Sequence, residues 1–153
     1  MSHRFRIAAV LLTILAHVAT GCTPADNAAT LSFERGWVRT PAPNAKMTAG
    51  YVAINNDTAA DVRITRAASP QFGRVEIHTT SMVDGVMQMR PVQALDVPAH
   101  GQVSLEPGGL HLMLMAAKGP LAADDSVIVT LFSDDRPVAE LTLPLARSNP
   151  HDE

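Results

Sequence analysis

From about residue 33 onward the sequence is divided into short segments in which apolar and polar residues alternate, separated by prolines, glycines and Asn/Asp clusters. A β-strand turns successive side chains to opposite faces, so this alternation is typical of half-buried strands. Eleven prolines are spread along the chain, and no long segment after the N-terminal region repeats its apolar residues every 3.6 positions. The pattern predicts an all-β sandwich or barrel.

The predicted strands are short and are separated by recognisable turns. Val83, Asp84 and Gly85 form a tight-turn signal, so the segments on either side are expected to pair as a hairpin. Pro70 to Gly73 is expected to form another turn. The predicted strands cover residues 33–41, 49–56, 60–69, 75–78, 86–92, 101–107, 111–116, 125–133 and 137–146.

Two histidines and two methionines recur at a spacing that suggests a metal site. Ten residues separate His78 from Met89, twenty-one separate Met89 from His111, and one separates His111 from Met113. Along a strand, His111, Met113 and Met115 share one face, while the leucines between them take the other. The leucines supply a core, and the opposite face is left for ligands.

A mixed set of imidazole and thioether groups suits copper. Thioether sulfur is a soft donor that binds Cu(I), and imidazole binds copper readily. Zinc fits less well, because methionine is not among its usual ligands. Packing is the alternative, since methionine often fills irregular gaps in a core. Five methionines nevertheless fall between residues 82 and 115, and the rest of the mature chain has only Met47.

The segments "VEIHTTSMVDGVMQMRPV" and "PGGLHLMLM" resemble the periplasmic copper chaperone family PCu(A)C. The resemblance extends through "WVRTPAPNAKMTAGYVAINN" and "PLAADDSVIVTLF", and so covers nearly all of the chain after about residue 31. It implies a cupredoxin-like Greek-key β-sandwich or barrel. It also implies that Cu(I) is bound by His78, Met89, His111 and Met113.

One position departs from the family pattern. Family members often have a methionine close behind the first histidine, whereas Thr79 and Thr80 stand here and Met82 is the nearest sulfur. Met82 and Met115 are therefore auxiliary candidates for metal binding, with packing as the favoured interpretation for both.

The N-terminus has the pattern of a bacterial export signal. A short basic segment with Arg4 and Arg6 precedes an apolar stretch from Ile7 to about Ala19, which is interrupted by His17 and is too short to span a membrane comfortably. Cys22, the only cysteine, follows Ala19-Thr20-Gly21, which resembles a lipobox. Residues 1–21 are predicted to be a lipoprotein signal peptide and Cys22 to carry the lipid. Ordinary cleavage nearby, leaving a free thiol, is the alternative.

Removal of residues 1–21 leaves 132 residues, which fits one domain. We expect a flexible tether at 22–31, a copper-binding domain at 32–147 and a disordered tail at 148–153. The mature chain has ten basic and fifteen acidic residues, a net charge of minus five, which argues against a nucleic-acid partner. The prediction is a monomer, exported to the periplasmic or extracytoplasmic side and lipid-anchored to a bacterial membrane.

The implied function is copper carriage. The resemblance suggests delivery of Cu(I) to the copper-centre subunit of a respiratory oxidase, alongside Sco-type copper proteins. A blue-copper electron carrier needs a cysteine thiolate beside two histidines, and Cys22 is the only cysteine. No hydrolase motif such as G-x-S-x-G is present, so an enzyme is not expected. A copper-free lipoprotein sandwich that acts as a protein-interaction module is the remaining alternative.

Overall fold

The computed structural model describes residues 31–122 and 124–152. The predicted signal peptide, Cys22 and all but the last residue of the tether lie outside them. No helix in the described residues is long and apolar enough to cross a membrane. The strands of this part are β1 Leu31–Arg39, β2 Met47–Asn56, β3 Val62–Ile64, β4 Arg66–Ala68, β5 Phe72–Val83, β6 Val86–Pro91, β7 Leu95–Val97, β8 Gln102–Leu105, β9 Leu110–Ala117, β10 Ser126–Ser133 and β11 Arg136–Ala146.

Seven strands form a closed ring in the order β1-β11-β10-β4-β5-β9-β2, because β1 pairs with both β11 and β2. The β1–β11 pair is parallel, and the other pairs in the ring are antiparallel. Strand β8 pairs with the second half of β2, β6 pairs with the outer half of β5, and β3 and β7 form a separate two-stranded sheet. The predicted all-β barrel is confirmed.

The start of the barrel and the β5–β6 turn lie at the same end of the molecule. Strands β2 and β5 run in the same direction, since each is antiparallel to β9, which lies between them. The end of β2 at Asn56 pairs with the start of β1 at Leu31. The chain therefore enters the barrel at the end from which the β5–β6 hairpin projects.

The barrel interior is filled by side chains that alternate along each strand. Val75 and Ile77 of β5 are buried in the core with Leu112 and Leu114 of β9, and the two leucines have exposures of 1% and 0%. Burial of one such side chain contributes about 1.5–3 kcal/mol. The predicted inward face of β9 is confirmed, with Leu110 partly buried against the same core. The outward face of both strands is left for other residues.

Residues 60–69, predicted as one strand, form two strands in different sheets. Strand β3 pairs with β7, where Arg63 and Asp96 form an exposed ion pair at 2.8 Å, while β4 pairs with β10 and β5. Thr65 lies between them, and its amide donates to the carbonyl of Phe132 at 2.9 Å. The single-strand prediction is wrong here, because alternation along a segment does not reveal a change of partner. Strand β7 was not predicted either.

The C-terminal tail contacts the barrel at His151. The Arg35 guanidinium donates to the carbonyl of His151 at 2.7 Å, and the His151 amide donates to the side-chain oxygen of Asn149 at 3.1 Å. Arg35 has a φ of 55° and lies where β1 shifts its register against β2. The hydrogen bond from Arg35 connects the tail to β1.

Candidate metal site

The β5–β6 hairpin fixes which methionines share a face with the first histidine. Asp84 and Gly85 form a two-residue loop with φ values of 51° and 75°, as a type I′ turn requires, so the predicted hairpin is confirmed. The register then pairs Thr80 with Met89 and places Pro91 opposite His78. Directly paired residues point to the same face of a sheet. Met89 therefore lies on the face that carries His78.

The pairing of β5 with β9 brings the two histidines together. His78 lies directly opposite His111, and Glu76 lies opposite Met113. Met113 on one side and Met89 on the other are thus diagonal neighbours of His78, at about 7–8 Å between Cα atoms. The structure places all four predicted ligands on one outward patch of the barrel wall.

The distance between the two imidazole rings fits one shared metal ion. The ring centroids of His78 and His111 lie 6.0 Å apart, with the ring planes inclined at 53°. An ion bound at about 2.0–2.1 Å from an imidazole nitrogen lies about 3.2 Å from that ring's centroid. Two rings on opposite sides of one ion are therefore at most about 6.4 Å apart. The observed separation leaves room for an ion between the rings.

Each ring has one nitrogen that is hydrogen-bonded and one that is free. His78 Nε2 is 2.8 Å from the Glu76 carboxylate, and His111 Nδ1 is 3.1 Å from the carbonyl of Gly109. Both partners are acceptors, so these nitrogens carry the protons, and in the neutral rings the other nitrogens carry lone pairs. Within residues 31–122 and 124–152, His78 Nδ1 and His111 Nε2 are buried without a hydrogen-bond partner. Metal-binding histidines commonly donate their second N–H to a carboxylate or a carbonyl in this way.

The donors beside the histidines are soft and neutral. Met113 is half-buried and Met89 is 51% exposed. Within residues 31–122 and 124–152, no three His, Cys, Asp or Glu side chains cluster closely enough to hold a metal ion. A metal bound at this patch would rely on thioether sulfur for its remaining ligands, which favours Cu(I).

Glu76 links the histidine pair to the surrounding charges. The hydrogen bond with His78 is the main cause that lowers the pKa of the Glu76 carboxyl, and the nearby Arg74 guanidinium lowers this pKa further, while burial raises it. Arg74 Nε lies 3.3 Å from Glu76 Oε1. The carboxylate is therefore charged at neutral pH and keeps its role as the acceptor for His78.

The auxiliary candidates lie farther from the histidine pair. Met82 is four residues beyond His78 on β5, and Met115 is four residues beyond His111 on β9, about 13 Å along each strand. The sulfur of Met115 lies 3.5 Å from Arg74 Nη2. These positions favour roles other than binding the ion held by the histidines.

Sequence reasoning missed two residues that the structure brings to this face. Met87 pairs directly with Met82, which could have been found by folding the sequence about the Asp84-Gly85 loop. Glu76 could likewise have been found, because its position two residues before His78 places it on the same face of β5.

The sequence of the described domain matches a known family. The family model described as "Putative lipoprotein LpqE-like" matches residues 31–145. The chain belongs to the LpqE-like family. A relative from Leifsonia xyli subsp. xyli, named as a putative lipoprotein, is 28% identical over 149 residues. The match covers 91% of this chain and 86% of the relative.

The LpqE-like chain also shares its fold with solved PCuAC structures. The copper-bound PCuAC domain from PmoF2 superimposes with a TM-score of 0.63 at 18% identity, over 77% of this chain and 93% of that domain. The Cu(I) form of DR1885 from Deinococcus radiodurans gives a TM-score of 0.57 at 24% identity, over 78% of each chain. The resemblance to the PCu(A)C family is thereby confirmed for the fold.

Proposed function

We propose that this protein is an extracytoplasmic copper carrier that binds Cu(I) through His78, Met89, His111 and Met113. The observation that carries the proposal is the pair of buried imidazole nitrogens, His78 Nδ1 and His111 Nε2, which have no hydrogen-bond partner among the residues that the structure describes. Buried polar atoms are nearly always paired, so two free ones on facing rings are typical of a ligand site. The two thioethers beside them match Cu(I) in softness.

Cu(I) is the cargo of this site, and the protein supplies four neutral donors. Glu76 and Gly109 hold the protonated ring nitrogens, which aims the other nitrogen of each ring at the ion. Neutral thioethers stabilise Cu(I) relative to Cu(II), so the ion keeps its oxidation state while bound. Structures with the same fold are named as copper-bound and Cu(I)-bound, which supports the same cargo here.

The proposed role is delivery to the copper-centre subunit of a respiratory oxidase, with Sco-type copper proteins as further partners. Export and anchoring through the lipid on Cys22 would keep the carrier at the membrane where such an acceptor is found. Membership of a lipoprotein family supports this location. The half-exposed Met89 gives an acceptor's ligands a direct route to the ion. We expect the carrier to act as a monomer.

Anaerobic titration of the complete chain with Cu(I), against a competing chelator, tests the carrier function. One tightly bound ion per chain is expected, with a large loss of affinity in His78→Ala and in Met113→Ala. His151→Ala is the matched control, because His151 Nε2 is also buried without a partner but lies in the C-terminal tail. Equal affinity in the wild type and both site variants would rule out the four-ligand site.

Delivery is tested separately from binding. The Cu(I)-loaded chain is mixed with the copper-free soluble domain of an oxidase copper subunit, and copper is measured in the two proteins after separation. Movement of copper to the oxidase domain, faster than from a small-molecule Cu(I) complex of equal affinity, is the expected result. Copper that stays on the carrier would contradict the oxidase as acceptor and leave the binding site unaffected.

An interaction module without copper is a second candidate function. The exposed Val83 and Val86 at the hairpin turn favour it, because exposed apolar patches often mark protein contacts. It predicts that His78→Ala leaves the cellular function intact. Restoration of a deletion strain by His78→Ala as well as by the wild type would favour the module over the carrier.

A further inference from the structure

The β5–β6 hairpin carries most of the exposed apolar side chains of the described residues. Of the six large hydrophobic side chains that are exposed there, five lie on this hairpin. Three of the five are Met82, Met87 and Met89, with exposures of 65%, 67% and 51%. Methionine is usually a core residue, so packing does not account for three exposed thioethers on one hairpin.

The register places these three sulfurs on one face. Met82 pairs directly with Met87, so their Cβ atoms are about 4.5–5.5 Å apart. Met89 follows Met87 by two residues on β6 and is a diagonal neighbour of Met82, about 7–8 Å away. Side chains as long and flexible as methionine can bring their sulfur atoms to one ion from these positions.

The chain contains a second cross-strand methionine pair with a different charge environment. Met47 of β2 pairs directly with Met115 of β9. The guanidinium of Arg74 lies against the sulfur of Met115 at 3.5 Å, and its positive charge disfavours a metal cation there. In the paired part of the hairpin, residues 78–91, Arg90 is the only arginine or lysine.

The charges on the hairpin itself favour a cation at the methionine face. Arg90, paired with Thr79, lies on the opposite face of the hairpin, where its guanidinium donates to Gln88 Oε1 at 2.6 Å. The exposed carboxylate of Asp84 lies in the turn next to the Met82–Met87 pair. A monovalent cation at the three thioethers therefore meets no facing guanidinium from its own hairpin.

We propose that Met82, Met87 and Met89 form a second, outer site for a soft monovalent metal ion, Cu(I) in the cell and Ag(I) as a laboratory probe. Thioethers are soft ligands, and three of them on one face suit such an ion and discriminate against Ca²⁺, Mg²⁺ and Zn²⁺. The site lacks an imidazole and is open to solvent, so it binds more weakly than the histidine pair.

The outer site acts as a loading position, and this part of the inference rests on the proposed carrier function. Met89 lies one row from His78 and one row from Met82, so it can serve either site, and a second ion that binds when the histidine site is filled is held by Met82 and Met87. An ion bound at the hairpin exchanges Met82 and Met87 for the two imidazoles and Met113 while Met89 remains attached. The ion stays in its monovalent state throughout: two steps replace a thioether by another neutral donor, and one step adds a fourth neutral donor.

Methyl NMR of the complete chain, labelled with ¹³C at the methionine methyl groups and kept in solution with mild detergent, tests the outer site. The probe is Ag(I), which does not change its oxidation state. In the wild type, the Met113 methyl is expected to shift with the first equivalent, and the Met82 and Met87 methyls at about hundredfold higher free Ag(I). In a His78→Ala/Met113→Ala chain, the Met82 and Met87 shifts are expected to persist.

The variant Met82→Leu/Met87→Leu keeps the apolar volume and removes the sulfurs. We expect it to retain the first equivalent with an affinity within about twofold of the wild type, to lose the second equivalent, and to load Cu(I) about fivefold more slowly. Met47→Leu is the matched control, since it removes an exposed methionine from the pair that contains Met115, and it should change none of these quantities.

Three outcomes would decide against the inference or separate it from the carrier function. Met82 and Met87 methyls that do not shift in either chain would overturn the outer site. If the Met82 and Met87 methyls shift at the same free Ag(I) concentration as the Met113 methyl, the outer site is not separate from the histidine site. Shifts at the hairpin without any response of Met113 would support the outer site while contradicting the proposed carrier site.

Discussion

The histidine pair and the hairpin methionines lie on the same outward face of the barrel, but their exposures are opposite. His111 is 4% exposed, whereas Met87 is 67% exposed. Both rings of the histidine pair are held by a hydrogen bond to Glu76 or Gly109. Burial and these hydrogen bonds fix the ring orientation before any ion arrives, while an exposed thioether can move between ligand positions. The comparison predicts that the histidine pair holds an ion and that the hairpin exchanges it.

Removal of both imidazoles gives the largest expected effect on the holding part. In His78→Ala/His111→Ala, the Cu(I) affinity should fall about a thousandfold, equivalent to about 4 kcal/mol, because only the thioethers remain as donors. Competition with a Cu(I) chelator measures the change. His100→Ala, which removes an exposed histidine outside the site, is the control and should bind as the wild type does. A loss below tenfold would mean that the buried rings do not hold the ion.

The two thioethers of the proposed site should differ according to their burial. Met113 is half-buried, so Met113→Ala should weaken Cu(I) binding about a hundredfold, while Met89→Ala, at an exposed position, should weaken it about tenfold. The same chelator competition provides both values. If Met89→Ala has the larger effect, burial does not determine which sulfur holds the ion.

Acidification should weaken metal binding at the histidine pair and leave metal binding at the hairpin almost unchanged. Histidine takes up protons between pH 7.5 and 5, and an imidazolium has no lone pair for a metal. Cu(I) affinity at the first site should therefore be lower at pH 5 than at pH 7.5. Ag(I) binding at Met82 and Met87 should change by less than about twofold, because thioethers do not titrate. A Cu(I) affinity at the first site that is the same at pH 7.5 and pH 5 would exclude the histidines as ligands.

Loss of the carboxylate that holds His78 should have a smaller effect. Glu76→Ala should lower Cu(I) affinity about tenfold, since partners that orient a metal-binding histidine commonly contribute that much. The Cu(I) affinity of Glu76→Gln should lie between those of Glu76→Ala and the wild type, because the amide oxygen can still accept the hydrogen bond from His78. Glu140→Ala on β11 is the exposed control. Unchanged binding in Glu76→Ala would show that ring orientation comes from packing alone.

The smallest expected effect is on the stability of the copper-free protein. The hydrogen bond to His78 lowers the pKa of Glu76 below its ordinary value of 4.5. A carboxyl whose pKa is lowered by folding stabilises the protein above the pKa of the unfolded chain, and this contribution disappears as the pH falls through the folded pKa. The free energies of unfolding in urea of the wild type and Glu76→Gln should differ at pH 6, and the difference should shrink as the pH falls below 4.5. A difference that is constant with pH would contradict this origin.

The alternating pattern of β9 was sufficient to predict its inward leucines and its outward histidine and methionines, because a strand has a fixed two-residue period. The Asp84-Gly85 loop likewise fixed the hairpin. The pairing of His78 with His111 could not be derived from alternation, since it depends on β5 and β9 being neighbours, and only the resemblance to a family suggested it. The contacts of Glu76 and the change of sheet at Thr65 depend on tertiary packing, which local patterns do not contain.

The chain enters the barrel at the same end as the β5–β6 turn, and this sets the geometry of any encounter at a membrane. Nine residue steps separate Cys22 from Leu31, a contour of about 30 Å when fully extended. A domain anchored through Cys22 would stay within about this distance of the bilayer, with the methionine hairpin on its membrane-facing side. Such a geometry would favour acceptors whose copper sites open close to the bilayer surface. The length of the tether would then determine which acceptors the hairpin can contact.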